Sequence, residues 1–162
     1  VTGALQLVCF HIAGQEFGAA IHDVRETIGV GPVTPVFHTP PCVAGITNLR
    51  GEILAVLDLA RLLGLPATDI DEVTRIVVVE AKGRAAGLLV DELGVIRQVE
   101  TDAIVPAPST FSSQIATVIR GIIPTDGTPI TVIDIERLLD APILAPFIER
   151  PDDDGPTETH VS

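Results

Sequence analysis

Apolar residues along this chain alternate with polar ones or run in short blocks, and turn-forming residues break the pattern every eight to twelve positions. Residues 5–12 and 75–80 read as strands. Each is followed by a tight turn, at Gly14 or Gly83, where a residue free to take positive φ is useful. Second strands follow at 16–21 and 84–90, and further on a pair of strands is joined at Gly51 and another at Gly127. Asp58 stands where it would cap a short helix at 59–63, and Asp134 where it would cap one at 135–139. Pro66 and Pro142 lie just beyond, where a proline stops a helix. Short strands at this spacing predict a mostly β chain built as small antiparallel barrels, with short helices, rather than α/β layers.

These elements come in two copies. Displaced by 76 residues, VLDLARLL (56–63) falls on VIDIERLL (132–139), Gly45 on Gly121, Gly51 on Gly127 and Pro66 on Pro142. Displaced by 69, Gly14 falls on Gly83, Gly18 on Gly87, Ile21 on Val90 and Val24 on Leu93. The chain therefore reads as a duplicated unit, with repeat one at about 1–66 and repeat two at about 74–142. The two displacements differ, so the halves have loops of unequal length. Residues 66–73 form a polar, acidic linker, and residues 106–113 (PAPSTFSS) read as a loop. The domain is expected to span 1–145. Residues 146–162 are expected to be an acidic tail, disordered from Arg150 onward.

Composition narrows the function. With 162 residues and 46% hydrophobic content the chain can bury a core, and its Val, Ile and Leu content favours strands. The net charge of -12 argues against nucleic acid, whose affinity comes from clustered Lys and Arg, and against anionic membrane surfaces. The longest uncharged run, 27–49, contains four prolines and is not a spanning helix. No secretory-leader pattern opens the chain, so with only two cysteines a reducing cytoplasm is expected. Lys82 is the only Lys beside nine Arg.

Nothing in the chain reads as catalytic. There is no Gly-x-Ser-x-Gly elbow, P-loop, dinucleotide fingerprint or His-Glu-x-x-His. Ser109, Ser112 and Ser113 have no nearby His, and Asp91-Glu92 reads as a solvated turn rather than an acid/base pair. Cys9 with His11 and Cys42 with His38 could supply zinc ligands only if all four converged, and neither pair has a Cys-x-x-Cys hook. A buried Cys and a satisfied His explain them better, so no metal and no cofactor is expected. Asp58 and Asp134 are accounted for by capping. Binding is better supported, because two small barrels packed together are expected to leave an apolar groove at their seam. Val24 and Ile96 are candidates to line it, with a core role for each as the alternative.

The stretch NLRGEILAVLDLARLLG (48–64), preceded by TPPCVAGIT (39–47), closely resembles the CheW family of chemotaxis coupling proteins. So do GAAIHDVRE (18–26), GLLVD (87–91), IRGI (119–122) and the block 130–139. The resemblance runs in order from about Leu5 to Asp140. It implies two small five-stranded β-barrels, SH3-like or OB-like, related by duplication, with strands exchanged between the halves. It implies a non-enzymatic adaptor coupling the cytoplasmic hairpin tips of methyl-accepting chemoreceptors to the regulatory domain of a CheA-type histidine kinase. Such an adaptor is cytoplasmic, is recruited to the inner face of the membrane through receptors, does not insert into the membrane, and self-associates in arrays. By position, Val24 and Glu26 match family residues of the coupling region, and Gly45 and Arg50 match the motif whose Arg is tied to coupling. The second copy has Asp126 where the first has Arg50, so the barrel does not require that Arg. Arg50 is expected to serve recognition; the alternative is an ion pair tying the barrels together. Gly45 is kept in both copies, which suggests a backbone reason. Ala55 stands where the family often has Pro. A scaffold of a non-motility or surface-motility signalling cluster is the other reading of the same resemblance, and a small hydrolase or metal protein is the third.

Overall fold

In a computed structural model of the chain, residues 3–107, 116–142 and 144–148 are described. Among the described residues, ten strands form two five-stranded sheets. They are β1 (Ala4–Ile12), β2 (Gln15–Ala20), β3 (Val24–Gly29), β4 (Val43–Leu49), β5 (Glu52–Asp58), β6 (Arg75–Ala81), β7 (Arg84–Val90), β8 (Glu92–Glu100), β9 (Ile119–Ile123) and β10 (Ile130–Ile133). One short helix follows the last strand of each half, α1 (Leu59–Leu62) after β5 and α2 (Ile135–Leu139) after β10.

The order of one sheet is β8-β1-β2-β10-β9, and of the other β3-β6-β7-β5-β4. Replacing each strand of the first sheet by its repeat counterpart generates the second, so the two sheets are copies. Each takes its first hairpin from one half of the chain and its other three strands from the other half. The registers agree with both displacements read from the sequence. Val56 of β5 lies beside Gly87 of β7 in a parallel pair, and Val132 of β10 lies beside Gly18 of β2.

Both barrels close in the same way. After β3 the chain crosses over, and Thr34 exchanges two backbone hydrogen bonds of 2.8 Å with Ile46 on β4. After β8 it does so again, with Val105 and Ile122, also at 2.8 Å. Gly45 and Gly121 sit at these crossings. A Cβ at Gly45 would lie 2.3 Å from the Thr34 carbonyl oxygen, and one at Gly121 would lie 2.5 Å from that of Val105. Both glycines follow a bulge, between Val43 and Gly45 and at the matching place in β9. Close backbone approach is thus what both copies preserve.

The apolar residues partition into three cores. Leu7, Cys9, Ile123, Ile130 and Val132 fill the first barrel, and Leu54, Val56, Ile76, Val78 and Leu89 fill the second. The largest cluster lies between the barrels and draws on both, from Phe10, Phe17 and Ile133 to Leu57, Val77 and Leu88, with both helices on it. This cluster fills the interior of the seam. The seam is a packed core, because the outward-facing apolar residues of both barrels meet there. Packing continues past residue 145, where composition alone puts the end of the domain. Ile148 is buried in the seam cluster and Phe147 packs against it, two apolar residues ahead of the acidic run. Arg150 onward, residues 108–115 and the serines at 109, 112 and 113 lie outside the described residues.

Candidate functional site

β4 and β5 pair as far as Leu49 and Glu52, so Arg50 and Gly51 alone make the turn. Their φ values are 51° and 89°, both positive, as a two-residue turn matching the strand twist requires. Asn48 Oδ1 accepts from the Gly51 N–H at 2.9 Å and holds the turn. A left-handed conformation suits Gly51 but is disfavoured for Arg50. The first hairpins of each half solve the same problem in the same way, with Ala13–Gly14 and Lys82–Gly83. The second copy of the β4–β5 hairpin does not. There β9 ends at Ile123 and β10 begins at Ile130, so the expected join at Gly127 is a longer loop that also contains Asp126. The first copy alone extends its strands and carries an arginine out on a rigid tip.

Arg50 is 66% exposed in its side chain, and its Nη2 donates to Glu26 Oε2 on β3. The bond to Glu26 raises the guanidinium pKa further, keeping it charged at any working pH. β3 and the β4–β5 turn belong to the same sheet, so this pair does not bridge the barrels, which was the structural alternative for Arg50. Beside it, Arg25 donates from Nη1 to Glu52 at 2.8 Å and from Nε to Glu80 at 3.0 Å. These bonds, Glu52 first among the favourable ones, raise the Arg25 pKa. Arg25 and Glu52 act electrostatically on Arg50, so the two pairs form one patch of alternating charge.

Of the residues singled out from sequence, the structure brings Glu26 and Arg50 into contact. Val24 lies on the same strand, but it is half-buried and packs against the seam core. Gly45 is inside β4, where its role is the chain crossing. Ile96 is on β8 of the other sheet, 60% exposed, next to Val95 at 60% and paired across from Val8.

Other expectations are revised. Asp134 caps α2, accepting from the Arg137 N–H at 3.0 Å, but Asp58 makes no cap bond to α1. Asp58 is buried, and its Oδ2 instead accepts from the Thr68 N–H at 3.1 Å, holding the linker. Asp91 is not merely a solvated turn, because its Oδ2 accepts from the Ala13 N–H at 2.8 Å. His11 is not satisfied, since its buried Nδ1 has no partner. Cys9 and Cys42 belong to different cores, and no group of three or more His, Cys, Asp or Glu suited to a metal occurs among the described residues. The Arg25 network and the Glu26–Arg50 bond were missed, because pairing between β3 and a distant hairpin leaves no local periodicity.

A family model described as a CheW-like domain matches residues 6–142. The chain belongs to the CheW family. It is 34% identical over 136 residues to the chemotaxis protein CheW of Rhizobium meliloti (strain 1021), covering 84% of this chain and 88% of the relative. It is 30% identical over 141 residues to the chemotaxis protein CheW of Klebsiella aerogenes, covering 86% and 84%. Among solved structures, the scaffolding protein TtCheW of Thermoanaerobacter tengcongensis superposes with a TM-score of 0.73 at 32% identity, covering 81% of this chain and 84% of that one. The CheW fold is thus present nearly throughout. No helix among the described residues is long and apolar enough to cross a membrane.

Proposed function

We propose that this CheW-family chain is a non-enzymatic cytoplasmic adaptor that couples the cytoplasmic tips of methyl-accepting chemoreceptors to the regulatory domain of a CheA-type histidine kinase. Recruitment to the inner face of the membrane is through the receptors, and copies of the chain associate within the array. The observation that carries the reading is family membership across residues 6–142 combined with an exposed arginine on a tip that only the first repeat builds. Arg50 is the recognition residue. Glu26 orients its guanidinium, leaving further donors for a partner's carboxylate or carbonyl. Val24 and Ile96 are the apolar contributors, and Gly45 acts through the backbone that supports β4. Individual contacts of this kind are weak and gain strength from the array.

The test is capture of the purified protein by a receptor tip hairpin and by a kinase regulatory domain, comparing wild type with Arg50→Ala. Binding by wild type and its loss in the variant support the reading. Absence of binding to both partners would overturn it.

A further inference from the structure

Phe37, in the connection between β3 and β4, is 90% exposed, the most exposed large apolar side chain among the described residues. Beside it is a concave pocket of about 270 Å³. Val43, Ile46, Leu54, Ala55 and Ala85 line the pocket together with Phe147 of the C-terminal segment. Val36, immediately before Phe37, is part of its wall, and Ile53, 60% exposed, is another. The volume is below the roughly 300–1,000 Å³ of pockets that enclose whole small molecules, so it suits a single side chain. An aromatic knob and a side-chain-sized hole, apolar on one side and lined by Arg25, Glu52 and Glu80 on the other, thus share one face, the arrangement a two-fold interface needs to be self-complementary.

The charges on this face point the same way. Arg25, paired with Glu52 and Glu80, lines the pocket with them, next to Arg50 with Glu26. A uniformly acidic or basic partner would be repelled by part of this patch. A second copy offers both signs and can place the exposed Arg50 against the partly exposed Glu52 or Glu80 across the axis.

We propose that two copies of this chain associate through this face, each inserting Phe37 into the other's pocket. This gives a surface to the self-association included in the adaptor reading. It is tested on the purified protein alone, so its failure leaves receptor and kinase coupling untouched.

The experiment is sedimentation velocity of the full chain across the micromolar to millimolar range, with Phe37→Ala and Ile53→Asp. The expected result is a rise from the 17.0 kDa monomer towards twice that mass. Phe37→Ala, at an exposed position, is expected to weaken it about tenfold or more without unfolding. The chain has no Trp or Tyr, so Phe37→Trp supplies a lone reporter whose emission shifts to the blue as concentration rises. A single 17.0 kDa species throughout, or a dimer that Phe37→Ala leaves intact, would overturn the proposal.

Discussion

Glu26 on β3 accepts a hydrogen bond from Arg50 at the tip of the β4–β5 hairpin, joining two residues that are 24 positions apart in sequence. The bond fixes the direction of a guanidinium that is otherwise in solvent, and it lies on the surface of a single barrel. Replacing Arg50 should therefore leave the fold intact. The informative substitution is Arg50→Gly, because glycine favours the left-handed conformation that this position already adopts. The melting temperature is expected to match or exceed that of wild type, while capture by receptor tip and kinase domain is lost. A melting temperature many degrees lower would assign Arg50 to stability.

Gly45→Ala should behave in the opposite way. The added Cβ would press on the Thr34 carbonyl at 2.3 Å, at a crossing where neither strand can withdraw without opening the barrel. A loss of about 2–4 kcal/mol is expected. Gly121→Ala, facing Val105 in the other barrel, should cost a similar amount. Urea unfolding of both variants checks this. A Gly45→Ala protein of normal stability that fails to bind would show a direct contact role instead.

The two aspartates that look equivalent in sequence should separate on substitution. Asp134→Ala removes a helix cap and is expected to cost about 1 kcal/mol. Asp58→Ala removes the anchor of Thr68. Its signature is faster protease cleavage within the linker at 66–73, measured as the rate of fragment appearance under native conditions. Asp134→Ala should not change that rate.

Cys9 provides a pH dependence. Burial is the main cause of its thiol pKa rising from 9.0 to about 11. Between these values the unfolded chain loses the proton and the folded chain keeps it. Stability is thus unaffected below about pH 9 and falls as pH rises from about 9 to about 11. Cys9→Ala should flatten that decline in a series of urea titrations. At pH 8 both thiols, buried and with raised pKa, should resist iodoacetamide until the protein is unfolded.

Much of the fold was legible because its strands alternate in short blocks and its turns use glycine. The β1–β2 and β6–β7 hairpins and both helices fall within a residue or so of their expected places. β3 and β8 were not recognised. β8 presents exposed residues for most of its length, including charged Arg97, so no buried stripe marks it. The core between the barrels was not legible because an outward-facing apolar residue such as Val77 or Leu88 looks the same in sequence whether it meets a ligand or the other barrel. Arg50 stood out because the second repeat lacks it. Its partner Glu26 was reached only through resemblance, since the pairing depends on barrel closure, and the Arg25 network was not reached at all.

The reciprocal lending of hairpins bears on what a break in the chain would do. Each sheet is stitched from strands on both sides of the linker, so a cut between residues 66 and 73 would not release two modules. The fragments would remain clasped, each completing the sheet that the other cannot finish. A half-length chain of this topology would be whole only as a pair.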